Sequence, residues 1–453
     1  MSGWAYALLG DLFKSFGRRE LDVVLMRSYD WLNDRPVGDI DLLVLPGQLK
    51  RTMQCIDVFS SENNWKKIFE DKDSNHVHLV YVKLDQGEFR SVHVDLQTSL
   101  GRKGFKYCPA SIVMEAPVLN DGIYIQNDAN SVYSLILHVF LDKKKIKDQY
   151  KELILGADPV MLEAVLVERL NSQLAESILS WVADGAPEEA MPMIFSALKK
   201  YLTFKFPVNI IFPFIHKASR VSRYFTRNRG VLIAALGPDG AGKSTVVDKV
   251  EALLGFGAFP VATVYMGKRE TLLPTSKLIR LYYNFKEKKT KNDDHTSVPV
   301  PHELKECKPQ NVKKKWISCL KEVLGLSNWF LEQWARYLID IRPVMQQGGV
   351  VLCDRYIYDL ADRPRNSVIY SNSFAWFLRV FFPTPDITYF FWENPEVLYE
   401  RKMENTVERS AFLIENYRSI LSNIPNVTEV RTNTNADDIC IDVVDRIVTT
   451  MEV

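Results

Sequence analysis

The sequence predicts an α/β protein: a doubly wound parallel sheet in the C-terminal half, preceded by a mixed α/β domain with an all-helical extension. Three observations carry this prediction. From Val231 onward, apolar runs ("VLIAAL", "PVATVYMG", "GGVVLCD", "DITYFFW", "VTEVRT") alternate with helical patterns, the order produced when crossover helices wind a parallel sheet. Ahead of residue 125, strand-like runs ("DVVLM", "IDLLVL", "HVHLVYVKL", "RSVHVDLQ") accompany the helical piece "GQLKRTMQCIDVFSS". From Asn127 to Tyr201 the spacing is helical, in "SVYSLILHVFLDKK", "PVMLEAVLVERLNSQLAESILSWVA" and "PEEAMPMIFSALKKYL".

The organisation expected is a domain over 1–125, a helical extension over 126–205, a basic linker over 206–230 and a C-terminal domain over 231–453. The N-terminal "MSGWAYALLGDLFKSFGRRE" has no basic region ahead of a long apolar core, so it reads as an amphipathic first helix rather than a leader. "FPVNIIFPFI" is too short to span a bilayer and is interrupted by proline. After it, Lys217, Arg220, Arg223, Arg227 and Arg229 cluster, as a solvated helix face or as a surface for an anionic membrane or partner. Residues 285–316 are rich in lysine, proline and polar side chains and read as a mobile insertion.

Charge and cysteine usage narrow the class. With 57 basic and 56 acidic residues there is no global field for nucleic acid, which is not an expected partner. The six cysteines lack C-x-x-C spacing, which fits free thiols in a reducing compartment and a cytoplasmic location. Peripheral membrane contact and a homodimer are compatible with this reading.

The most specific pattern is "GPDGAGKST", which satisfies G-x-x-x-x-G-K-[ST] between an apolar strand and the amphipathic helix "STVVDKVEALL". Gly237, Asp239, Gly240, Ala241, Gly242, Lys243, Ser244 and Thr245 are therefore expected to hold a nucleoside triphosphate, ATP. Glycines let main-chain N–H groups curl around phosphate oxygens at a helix N-terminus, and Lys243 supplies a charge to the β and γ phosphates. Ser244 offers a hydroxyl to Mg²⁺. An apolar strand ending in Asp354 places a second magnesium-binding oxygen at the same sheet edge, and Arg355 beside it can clamp an acceptor phosphate. No N-K-x-D guanine-reading motif is present.

On "GPDGAGKST" and "VVLCDRYIYDL" the C-terminal half resembles the thymidylate kinase group of nucleoside monophosphate kinases, with a P-loop kinase fold. The resemblance implies that Asp239 contacts the acceptor sugar, while Asp354 and Arg355 position magnesium and the acceptor phosphate. It also implies an arginine-bearing lid after "NPEVLYERK", for which Arg401, Lys402 and Arg409 are the available cations, with Arg409 a candidate catalytic residue. The same cations alternate with Glu400, Glu404 and Glu408, as on the polar face of an ordinary helix. The family's base-reading residues after its D-R-Y motif are replaced here by Tyr358, Asp359 and "LADRPRNS". The form is most similar to thymidylate kinase-like proteins encoded with bacterial surface-polysaccharide genes, so the acceptor expected is a dTMP-like nucleoside monophosphate, a sugar or sugar phosphate, or a sugar nucleotide.

In "RPVGDIDLLVLP", Asp39 and Asp41 alternate along a strand and share one face, and "SVHVDLQ" brings Asp95 with His93 on its same face. Three carboxylates converging in this way suit metal-assisted nucleotidyl transfer. The first half resembles the polymerase β-type nucleotidyltransferase superfamily, with Asp39, Asp41 and Asp95 as implied metal ligands and "SLILHVF", carrying His138, in its helical tail. Arg27 stands where that superfamily has a glycine beside Ser28. An active nucleotidyltransferase, a degenerate binding domain and a coincidental acidic turn all remain readings of this segment.

The expected function is an ATP-dependent phosphotransferase with a second, nucleotidyltransferase-like module. The alternative is a nucleotide-gated binding protein in which ATP switches the first domain. A further rival is a nucleotidyltransferase acting on nucleic acid through the lysine-rich insertion.

Overall fold

A computed structural model describes residues 3–26, 40–73, 75–85, 88–143, 145–226, 230–255, 259–267, 272, 326–359, 377, 380–403, 405–422, 424–433 and 435–452. The chain forms two compact units that meet in the sequence at residues 227 and 228. Both are α/β, as the sequence predicts. Asp39, Arg27 and Ser28 lie outside the described residues, as does the expected insertion 285–316.

The first unit holds strands β1 (Val23–Leu25), β2 (Ile40–Val44), β3 (Lys66–Lys72), β4 (His76–Asp85), β5 (Glu88–Gln97), β6 (Ser99–Arg102), β7 (Phe105–Pro109), β8 (Val118–Asn120) and β9 (Ile123–Ile125). Seven of them form one sheet in the order β3-β4-β5-β2-β1-β9-β8, while β6 and β7 pair separately. The large sheet is mixed: β2 runs parallel to β5 and β1 to β9, with antiparallel pairs elsewhere. Alternation along β5 sends Val92, Val94 and Leu96 into a core with Leu9, Phe13 and Phe16 of helix Gly3–Arg18 and Ile56 of helix Leu49–Glu62. His93, Asp95 and Gln97 alternate with these positions and therefore lie on the other face.

The helical extension is not a separate body. Val24 and Leu43 share a second core with Ile136, Val139 and Phe140 of helix Asp128–Asp142 and with Trp181 of helix Ser172–Ala183. The run "PVMLEAVLVERLNSQLAESILSWVA" is two helices, because the Asn171 side chain accepts from Leu174 N and caps a new start. The expected basic linker begins as ordered structure: a 3₁₀ turn Pro207–Ile210 and a helix Phe212–Thr226. Asn209 anchors it to β7, accepting from Lys106 N at 2.7 Å and donating to Lys106 O at 2.9 Å, much as a neighbouring strand would. Of its cations, Lys217 is exposed; the side chains of Arg220 and Arg223, and residues Arg227 and Arg229, lie outside the description. Among the described residues no helix is long and apolar enough to cross a membrane. Cys55, Cys108, Cys353 and Cys440 are buried free thiols.

The second unit is built on a five-stranded parallel sheet, β10 (Val231–Leu236), β11 (Val261–Tyr265), β12 (Val350–Asp354), β13 (Ile387–Trp392) and β14 (Val427–Arg431), in the order β11-β12-β10-β13-β14. Every residue of β10 is buried, as expected of a central strand in a parallel sheet. The chain leaves β10 toward one side of the sheet and later crosses to β13 on the other, so a crevice opens at the carboxyl ends beside β10.

Candidate active site

Register places the chemistry at that crevice. Ala235 of β10 and Tyr265 of β11 are both level with Asp354 of β12, so the loop after β10 emerges beside the Asp354 carboxylate. The loop 237–242 passes into helix Lys243–Gly255. Gly237, Gly240 and Gly242 have φ of 143°, 85° and 76°, values that only glycine adopts without strain and that let main-chain amides turn inward.

A cavity of about 530 Å³ lies over this edge, lined by Asp239, Gly240, Gly242, Lys243, Ser244 and Thr245 together with Asp354 and Arg355. Eight sequence-predicted residues thus meet in one place. Gly237 and Ala241 are the buried framework beneath: Ala241 is fully buried, and Gly237 packs against the Phe391 carbonyl.

Lys243 is 6% exposed, and its Nζ donates to Gly237 O at 2.9 Å and Pro238 O at 2.7 Å. Burial, aided by the positive Arg355, pulls its pKa down to about 8, against the pull of Asp239, Asp354 and Asp359. A further negative charge brought to Lys243 would therefore stabilise its protonated form.

Ser244 Oγ lies 3.5 Å from Asp354 Oδ2, and Asp354 Oδ1 is buried without a hydrogen-bond partner. A hydroxyl and a carboxylate with an unsatisfied oxygen form a hard donor pair of the kind Mg²⁺ prefers.

Arg355 adopts φ 69° and donates to Asp239 Oδ1 at 2.6 Å and to Asp359 Oδ2 at 2.7 Å. Tyr417 of helix Val407–Leu421 donates to the other Asp359 oxygen. Asp359, read from the sequence only as a departure from a base-reading pattern, is a fixed anchor of the arginine. Its side chain is 16% exposed and that of Asp239 is 37% exposed, so an incoming anion would displace Asp239 more readily.

The expected lid cations separate. Arg401 and Lys402 line the cavity, and Arg401 braces its wall by donating to Thr432 Oγ1 at 3.1 Å and Thr432 O at 2.9 Å. Arg409 is not among the lining residues; it sits in the first turn of helix Val407–Leu421 with its guanidinium 5.3 Å from the centre of the Phe412 ring. Sequence alternation of Arg and Glu could not tell these positions apart. Nor did it single out Glu332, Gln333 and Arg336, buried polar residues on helical positions 326–336. Arg336 donates to Tyr265 O at 2.6 Å and Gln333 to Met266 O at 3.3 Å, so they fix the end of β11 that walls the cavity. Their signal is a polar set spaced one helical turn apart within "SNWFLEQWARYL".

In the first unit, Asp41 and Asp95 are direct register partners on β2 and β5, with Asp41 Oδ1 accepting from Gln97 Nε2 at 2.9 Å. Asp39 lies outside the described residues. Two residues that the sequence reading passed over join Asp95: His78 Nδ1 contacts Asp95 Oδ1, and His76 Nε2 lies 3.2 Å from that same oxygen. Burial would raise the Asp95 carboxyl, but these imidazoles outweigh it and hold it well below the usual carboxylate range. His138 is occupied locally, with Nδ1 3.0 Å from Asp142 Oδ2.

No protein-family model matches the chain, and no curated protein does. Among solved structures it is similar to a thymidylate kinase from Ehrlichia chaffeensis, at 16% identity and a TM-score of 0.30, over 48% of this chain and 98% of that one.

Proposed function

We propose that the second unit is a phosphotransferase that binds ATP with Mg²⁺ and moves the γ-phosphate to an oxygen of a small acceptor, a nucleoside monophosphate or a phosphorylated sugar. The observation that carries this reading is the convergence of Lys243, Ser244, Asp354 and Arg355 on one cavity at the carboxyl edge of the parallel sheet. The glycine loop and helix N-terminus receive the triphosphate, and Lys243 exchanges its two loop carbonyls for phosphate oxygens. Ser244 and Asp354 are the residues that would hold Mg²⁺, which when bound neutralises charge on the phosphates. An acceptor phosphate takes the place of Asp239 on Arg355, while Asp359 and Tyr417 keep the guanidinium aimed. In the transfer itself the acceptor oxygen forms a bond to the γ-phosphorus as the bond to the ADP oxygen breaks, and positioning supplies most of the acceleration.

Incubation with γ-labelled ATP, Mg²⁺ and a panel of nucleoside monophosphates and sugar phosphates tests this directly. Label is expected in the acceptor, and only when the right acceptor is present. Release of labelled phosphate at one rate with every acceptor and with none would instead mark a nucleotide-gated switch.

The lysine also makes binding pH-dependent. Its pKa is about 8 in the ligand-free fold, below the model-peptide value of about 10.4. The cost of its burial is therefore fully present below pH 8 and is relieved as the pH rises toward the unfolded value, where only the unfolded chain still holds the proton. A bound triphosphate raises this pKa again. Above pH 8, ATP binding is therefore expected to take up a proton and to weaken as the pH rises, by up to about tenfold per pH unit. Calorimetric titrations at pH 9 in two buffers of different ionisation enthalpy should differ accordingly; identical heats would argue against a buried, depressed lysine.

A further inference from the structure

The face of the first unit's sheet that carries His93, Asp95 and Gln97 also carries His76 and His78. We propose that His76, His78 and Asp95 bind one divalent transition-metal ion of the zinc class, leaving a fourth coordination position for water or a ligand donor.

The placement follows from strand geometry. His76 and His78 alternate on β4 and so project from one face, and antiparallel register sets Asp95 of β5 directly opposite His78. The two imidazoles converge on a single carboxylate oxygen, Asp95 Oδ1, and one donor atom from each of the three residues lies within 4.8 Å of the others. A tetrahedral ion with bonds of about 2.0–2.2 Å needs its donors roughly 3.3–3.6 Å apart, which small side-chain rotations from this arrangement supply.

A pair of histidines bound to an aspartate by hydrogen bonds alone is the simpler account, and the position of His76 favours a metal over it. His76 Nε2 is buried and, despite its nearness to Asp95 Oδ1, makes no hydrogen bond of acceptable geometry, while the His76 side chain as a whole is 41% exposed. A nitrogen turned inward on a ring that solvent reaches gives an ion both a ligand and a way in. His78, in turn, is held by aromatic neighbours, with His93 edge-on at 5.0 Å and Phe69 at 5.7 Å between ring centres. Rings fixed in this way keep a ligating nitrogen aimed.

The donor set also decides the ion. Two imidazole nitrogens with one carboxylate suit zinc, cobalt or nickel, whereas Mg²⁺ takes near-octahedral oxygen coordination. This differs from the all-carboxylate trio that the sequence suggested around Asp95.

Equilibrium dialysis of the full-length chain against Zn²⁺ without nucleotide, after chelator treatment, tests the assignment, with Co²⁺ as an optical probe. The expected result is about one Zn²⁺ per chain and the visible absorption of tetrahedral Co²⁺. His76→Gln/His78→Gln, chosen to keep the side-chain bulk, should lose this binding by at least 100-fold with unchanged circular dichroism. His93→Gln should weaken it about tenfold, as orienting neighbours do. Lys243→Ala should leave it untouched, which separates this site from the nucleotide reading. Substoichiometric Zn²⁺ in the wild type, or stoichiometric Zn²⁺ that survives the double histidine variant, overturns the proposal. So does a Mg²⁺ affinity equal to that for Zn²⁺.

Discussion

Lys243→Ala is expected to lower ATP-dependent phosphate transfer by ~10³-fold or more, the scale seen when a preorganised donor to a developing negative charge is removed. The same substitution should not destabilise the ligand-free fold. Lys243 is buried with a pKa pulled down to about 8, which means that its charge is less well accommodated in the fold than in water at neutral pH. Alanine removes that cost together with the two bonds to Gly237 O and Pro238 O, and because Lys243 itself lines the cavity, water entering the vacated space can satisfy both carbonyls. The expected pair of results is therefore a melting temperature at or slightly above wild type and a turnover near background. Lys243→Arg should also fail, because a planar fork does not fit a space shaped for one ammonium. Retention of most of the activity in Lys243→Ala would mean that the phosphates lie elsewhere. A large drop in melting temperature would mean that the lysine serves the fold instead.

What the sequence disclosed about this site was local. Gly237 to Thr245 and the Asp354–Arg355 pair are contiguous motifs, and their spacing along the chain is their spacing in space, so strand ends and register had only to bring two short segments together. The second anchor of Arg355 was harder to see. Asp359 is close by in the chain, at i,i+4 from Arg355, but Tyr417 comes from a distant helix, and only packing makes it a partner. The lid cations failed for a different reason. Arg401, Lys402 and Arg409 are equivalent on any helical pattern, and the break between helices Pro395–Arg401 and Val407–Leu421 decides which of them reach the cavity. In the first unit the strand "HVHLVYVKL" was plain, and so was the alternation of its histidines, yet nothing in the linear sequence pairs His78 with Asp95. Strand pairing is a long-range choice, and a shift of one residue would have turned both histidines into the core.

Gly237→Ala is expected to cost about 3 kcal/mol or more of stability in the second unit and to abolish nucleotide binding, from backbone strain and overpacking together. At φ 143° the backbone is already in a region that side chains avoid, and a Cβ built there would lie 2.1 Å from the Phe391 carbonyl oxygen of β13. That oxygen belongs to a buried central strand and cannot swing aside as a flexible side chain could, so the loop must lift from the sheet. Lifting it moves the amides that cradle phosphate and carries Lys243 away from Asp354. Two other glycines grade the argument. At Gly242 the φ of 76° is unfavourable, but the new Cβ would meet only Thr432 Cγ2 at 3.7 Å, so Gly242→Ala should cost about 1 kcal/mol. At Gly255, the last residue of helix Lys243–Gly255, nothing lies within 4 Å, and alanine should be neutral or slightly stabilising. Thermal unfolding of the three variants should therefore rank Gly255→Ala highest, Gly242→Ala next and Gly237→Ala lowest. A Gly237→Ala protein that melts with the wild type and still binds ATP would show that the loop does not need the main-chain path on which its phosphate cradle depends.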